Sequence, residues 1–77
     1  MKASQCRAAR GLLGWSQNQL ADVAKVAVRT LISFESEARM PREATLNAIR
    51  KALEGAGVEF IPANGGGAGV RLRRQVE

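Results

Sequence analysis

The 77-residue chain contains no histidine and no tyrosine, one cysteine, two prolines and a single tryptophan. Each scarcity excludes something. Without histidine, general acid-base chemistry near neutral pH loses its commonest agent, and the imidazole-thiolate sets that hold structural zinc cannot be assembled. One cysteine allows no internal disulfide, and with no histidine beside it to activate the thiol, Cys6 reads as a small core residue. No apolar run approaches the roughly 18 residues of a membrane span, and Arg7 and Arg10 interrupt the start before any secretory stretch could form. The expectation is a cytoplasmic protein, not an enzyme, with no cofactor and no metal, that does not engage a membrane. The length allows one modest core.

Positive charge is what the chain does have. Twelve basic against seven acidic residues give a formal charge of +5, which favours a polyanionic partner. Residues 1–15 hold three positive charges and no acid, so the excess is expected on the first helix.

The apolar periodicity is helical through most of the chain. Ser4 followed by Gln5 to Leu13 reads as a first helix, capped by the serine and stopped by Gly14, with Cys6, Ala9 and Leu13 facing inward. Ser16 opens a second helix that buries Leu20, Ala21 and Ala24. After Met40-Pro41, Leu46, Ile49 and Leu53 mark another, which ends near Gly55 and Gly57. Between them lies Leu20-Ala-Asp-Val-Ala-Lys-Val-Ala-Val-Arg-Thr-Leu31, which has helical spacing throughout and neither glycine nor proline. Periodicity alone permits one rod or two helices there. The C-terminal part alternates instead: Val58-Glu-Phe-Ile61 and Val70-Arg-Leu-Arg73 flank a glycine-rich loop and read as a β-hairpin. The glycines lack the Gly-Lys-Ser or Gly-Lys-Thr ending of a phosphate loop. A lone hairpin is marginal in water, so it packs on the helices or pairs with the same strands of a second subunit.

Two charges fall on apolar faces. Arg10 lies within the arc of Cys6, Ala9 and Leu13, and Glu35 within that of Val28, Leu31 and Phe34, a placement that predicts a half-buried ion pair. The opposite side of residues 28–36 shows Arg29, Ile32, Ser33 and Ser36, with small hydroxyls, one base and no acid. Exposed helices are usually rich in glutamate and lysine. A helix entering a DNA groove needs donors and no carboxylate facing phosphates. The residues alone leave groove binding and a protein contact both open.

The run from Ser16 to Glu35, followed by Arg39 and Pro41, resembles the helix-turn-helix of Cro and phage-repressor-type bacterial regulators. Gln17, Leu20-Ala21, Ala24, Val26, Thr30, Leu31 and Glu35 carry the likeness, and Arg10 stands where that family places the arginine paired with the glutamate. The likeness spans about residues 4–56, and the tail from Gly57 to Arg74 resembles the strand-loop-strand end of short regulators of this type. It implies a mainly α, compact four- to five-helix DNA-binding domain over residues 1–56, with a β-hairpin extension over 57–77. It also implies a break into two helices near Lys25. Three positions depart from the family: Lys25 where glycine usually makes the left-handed turn, Ala27 in place of a capping serine or threonine, and Glu37 where glycine commonly closes the recognition helix.

Carried over by position, the resemblance implies that Ala27, Val28, Arg29 and Ser33 face base edges of double-stranded DNA and that Gln17 contacts phosphate. Arg39 and Arg42, beyond the recognition helix, reach the flanking backbone, unless they are plain solvated charges. An arginine suits guanine, and Ala27 with Val28 suits a thymine methyl. Regulators of this fold read two-fold operators as dimers. The hairpin is therefore expected to join a homodimer through Val58, Phe60, Val70 and Leu72, which share one face. The function implied is a transcriptional regulator, a repressor occupying an operator. The competing reading is an antitoxin-like module that binds a protein partner, with Ile32 in the contact.

Overall fold

Gln5 sets the start of the first helix. Its Oε1 accepts a hydrogen bond from the Lys2 N–H at 2.8 Å, closing the first turn so that α1 runs Ala3–Leu13. The cap is thus Lys2 and not Ser4, which lies inside the helix with its side chain exposed. A small-residue stripe, Ala3, Cys6 and Ala9, recurs at one-turn spacing and is buried. Gly14, at φ 69°, ends α1 as expected: its N–H reaches Gly11 O and that of Trp15 reaches Arg10 O, the paired bonds of a Schellman turn.

The computed structural model, which describes residues 1–63 and 65–73, continues with α2 (Gln17–Ala24), α3 (Val28–Glu35), α4 (Glu43–Gly55), β1 (Val58–Ile61) and β2 (Gly69–Leu72). Asn64 in the loop and the end of the expected extension, residues 74–77, lie outside the described residues. The ambiguous stretch is two helices. At Lys25 the backbone is left-handed (φ 60°, ψ 44°), Val26 N–H reaches Ala21 O at 3.0 Å, and the Gly14 pattern repeats with a lysine in glycine's place. The same turn closes α3 at Glu37 (φ 65°), with Ala38 N–H on Ser33 O at 2.9 Å. Hydrogen bonding at both sites offsets the roughly 1–2 kcal/mol that a side chain costs in this conformation.

The core is shared by all elements. Leu20, Leu31, Phe34, Ile49 and Leu53 are essentially inaccessible, joined by Cys6, Ala9 and, from the hairpin, Val58. Strands β1 and β2 pair antiparallel with Val58 opposite Leu72 and Phe60 opposite Val70. Those four side chains do share a face, but it is turned largely toward the helices of its own chain. Val58 is buried and Phe60 and Val70 pack on the core, because the small stripe of α1 leaves that side of the helices open to be covered. Leu72, at 37% exposure, is the member left outside. Gln5 fastens the far end of the hairpin, its Nε2 donating to Gly69 O at 3.0 Å and Ile61 O at 3.4 Å. Arg50 of α4 lies 4.9 Å from the centre of the Phe60 ring and bonds Glu54, so it links the helix to the hairpin. Among the described residues no helix is long and apolar enough to cross a membrane.

Candidate nucleic-acid interface

The turn at Lys25 sets α3 across the end of α2. Leu31 and Phe34 drive one side of α3 into the core, so at about 100° per residue the opposite side faces solvent. Ala27, Arg29, Ile32 and Ser36 are exposed there, Val28 and Ser33 partly so. Ala27 occupies the cap position with extended backbone and offers no side-chain hydrogen bond. Among the described residues the Val28 and Arg29 amides therefore have neither an intrahelical nor a capping partner, while those of Thr30 and Leu31 reach Ala27 O.

The far end of α3 is anchored by one carboxylate. Glu35, 3% exposed, receives Arg10 Nε on Oε2 and Arg10 Nη2 on Oε1, both at 2.7 Å, a two-pronged pair of the kind the sequence predicts. Cys6 Sγ donates to Oε2 at 3.2 Å and Gln17 Nε2 to Oε1 at 3.0 Å. Arg10 also donates to Trp15 O at 3.0 Å, and Arg7 donates to the Glu35 backbone carbonyl. One side chain thus ties together α1, the start of α2 and the end of α3. Burial by itself would raise the Glu35 carboxyl, but the hydrogen bonds from Arg10, Cys6 and Gln17, with the Arg10 charge, outweigh it and hold the group below the usual carboxylate range. Burial, followed by the bond and charge of Glu35, pushes the Cys6 thiol up, so it stays protonated and acts as a donor, not a nucleophile.

The start of α4 lies opposite the outer end of α3, and the two enclose a cleft of about 540 Å³. Its walls carry three guanidinium groups, Arg29, Arg39 and Arg42, and three hydroxyls, Thr30, Ser33 and Thr45, with Met40 and Pro41 along the connecting loop. None of the three arginines takes part in an ion pair among the described residues. Arg7 and Arg10 of α1, by contrast, face Glu37 and Glu35. Free positive charge is therefore concentrated at the α3–α4 cleft, and not on the first helix where the sequence totals put it. Cations and hydroxyls around one opening suit an anion with several oxygens, and an extended polyanion in particular.

Of the residues singled out in sequence, Arg29, Ser33, Arg39 and Arg42 meet at this cleft, with Ala27 and Val28 at the adjoining helix start. Gln17 stands apart from it, its amide nitrogen held by Glu35. Sequence reasoning missed Thr30 and Thr45 in the cleft and Arg7 in the hub. Arg7 lies one turn before Arg10 and could have been found from that spacing; Thr45 could not, since only the folded chain brings α4 beside α3.

The profile of the helix-turn-helix family matches residues 7–60, from within α1 through α4 to Phe60. No individual curated protein matches the sequence. The match spans both helices of the motif, the left-handed turn between them, the Arg10–Glu35 pair and the cleft. This chain belongs to the helix-turn-helix family of DNA-binding regulators, in its Cro and phage-repressor type.

Proposed function

We propose that the protein is a sequence-specific transcriptional repressor that occupies a two-fold operator as a dimer and so excludes polymerase. The observation carrying this reading is the outer face of α3, free of acid, which bears Arg29 and is flanked by Arg39 and Arg42, three arginines without an ion-pair partner among the described residues. In this reading Arg29 forks onto a guanine, Ala27 and Val28 meet a neighbouring thymine methyl, and Ser33 reaches a base edge from the next turn. Arg39 and Arg42 hold phosphates on one side of the groove. On the other, Gln17 presents the amide hydrogen not engaged by Glu35 together with the backbone amides at the start of α2.

Two copies place two recognition helices about one helical turn apart, roughly 34 Å, on one side of the duplex. With most of the apolar hairpin face on its own core, the outer strand edges and Leu72 are left for the dimer contact. Selection of bound sequences from a random duplex pool tests the proposal. The expected product is an inverted repeat. Arg29→Ala relaxes preference at a guanine in each half-site, while Gln17→Ala weakens all sequences alike.

A second reading has its own observation. Ile32 and Met40 are large apolar residues exposed at 45% and 68%, and a protein partner of an antitoxin-like module could cover them. Recovery of no enriched duplex from the pool favours that reading.

A further inference from the structure

Helices α1, α2 and α3 end in the same left-handed turn, but with different residues at its centre. α1 uses Gly14, for which the conformation carries no side-chain strain. α3 uses Glu37, whose carboxylate lies 3.9 Å from Arg7, so its side chain gives a contact between α1 and the end of α3. α2 uses Lys25, at φ 60°, in a conformation that a side chain makes costly. A glycine makes the same backbone bonds there. The lysine side chain is exposed and forms no ion pair among the described residues, so nothing inside the chain accounts for it.

What the side chain supplies is a positive charge at a particular place. Lys25 stands two residues before Ala27, a separation of at most about 7 Å, and its ammonium rides on a flexible four-carbon stem. A helix with its side chains is about 10–12 Å across, close to the width of the major groove at about 12 Å. A chain that enters α3 within that groove therefore passes the phosphate wall in the residues just before the helix. From Gln17 to Val28 the only charged residues are Asp22 and Lys25, both exposed. Arg39 and Arg42 follow α3 in the chain, so at the start of the helix the one attraction for a phosphate from this segment's side chains is Lys25.

We infer that Lys25 is a phosphate-binding residue that holds the duplex backbone beside the start of α3, so that the turn between the two helices is itself a contact to nucleic acid. The assignment rests on the DNA-binding reading above and adds to it a contact at a position where a glycine has no side chain to offer. It raises affinity for every sequence and carries no base preference.

The test uses the full chain and anisotropy titrations of two duplexes, one recovered from a random pool and one of mixed sequence. Lys25→Gly removes a strained side chain and is expected to unfold no lower than the wild type. It should nevertheless bind both duplexes on the order of five- to ten-fold more weakly at about 100 mM salt, with the difference closing as salt rises. The slope of the logarithm of the association constant against that of salt should shrink by about one. Lys25→Gln, which keeps a long side chain without the charge, should show the same loss, and Lys25→Arg should bind as the wild type does. A purely structural lysine cannot give weaker binding, a smaller slope and an undiminished melting temperature together. A wild-type slope in Lys25→Gly or Lys25→Gln overturns the inference, while the DNA-binding reading stands if Arg42→Ala still lowers it. A loss confined to the recovered duplex at unchanged slope also overturns it and makes the turn a positioning element. So does a loss that disappears when Asp22→Asn is present, which reduces Lys25 to a shield for that acid. No binding by the wild type at low salt overturns both readings.

Discussion

The two helices of the motif begin in opposite ways. At α2, Ser16 Oγ accepts from the Gln19 N–H at 3.0 Å and Gln19 Oε1 accepts from the Ser16 N–H at 2.7 Å, so both groups are satisfied reciprocally. At α3, Ala27 accepts Thr30 N–H only through its backbone oxygen, and a lysine in left-handed conformation precedes it. α3 is held instead by its other end, through Leu31, Phe34, Glu35 and Arg7. The helix that must fit a foreign surface is thus pinned at its C-terminal half and left uncapped where Ala27, Val28 and Arg29 project. Stability and presentation are assigned to opposite ends of eight residues.

The contrast breaks most severely at the anchor. Glu35→Ala leaves Arg10 largely buried without its partner and is expected to cost about 3–5 kcal/mol, a large part of the stability of a domain this size, read from urea unfolding. Acid should reach the same anchor by titration. The Glu35 carboxyl is depressed in the folded state, so its contribution is complete above the unfolded value of about 4.3 and is lost as pH falls through the lower folded value. The urea midpoint should accordingly fall below about pH 4.3, and Glu35→Gln should show less of that fall over the same window.

Smaller changes sharpen the difference between the two helix starts. Ser16→Ala should destabilise by about 1 kcal/mol, and Ala27→Ser, at a position already in capping geometry, should stabilise by a similar amount. Lys25→Gly relieves about 1–2 kcal/mol of left-handed strain but restores about 0.4–1 kcal/mol of unfolded-chain freedom, so a net gain of between about zero and about 1.6 kcal/mol is expected in thermal melts. Hydrogen exchange resolved by residue should show Ala27→Ser protecting Arg29 and Thr30 while leaving Leu31 to Glu35 unchanged.

Much of this arrangement was legible in the residues because it is local. The stripes of α1, α2 and α4 follow from one-turn spacing, and Arg10 and Glu35 announced themselves by lying on apolar arcs. The break at Lys25 did not: with no glycine or proline, only the likeness to a known motif separated two helices from one, and the hydrogen bonds of the turn explain why a lysine suffices. The hairpin was recognised by its alternation, but alternation identifies a shared face without saying what covers it. Gln5 as the clamp on Gly69 and Ile61, and Thr45 as part of the cleft, depend on contacts between elements distant in sequence, which no local pattern encodes.

The central claim is that Arg39 and Arg42, which make no ion pair among the described residues, hold the phosphates of a duplex beside α3, and the salt dependence of binding tests it most directly. Anisotropy titrations of a mixed-sequence duplex between about 50 and 200 mM salt should give an association constant whose logarithm falls linearly and steeply with the logarithm of salt. Arg42→Ala should reduce that slope by about one. Absent binding at the lowest salt, or an affinity that does not change with salt, contradicts the account.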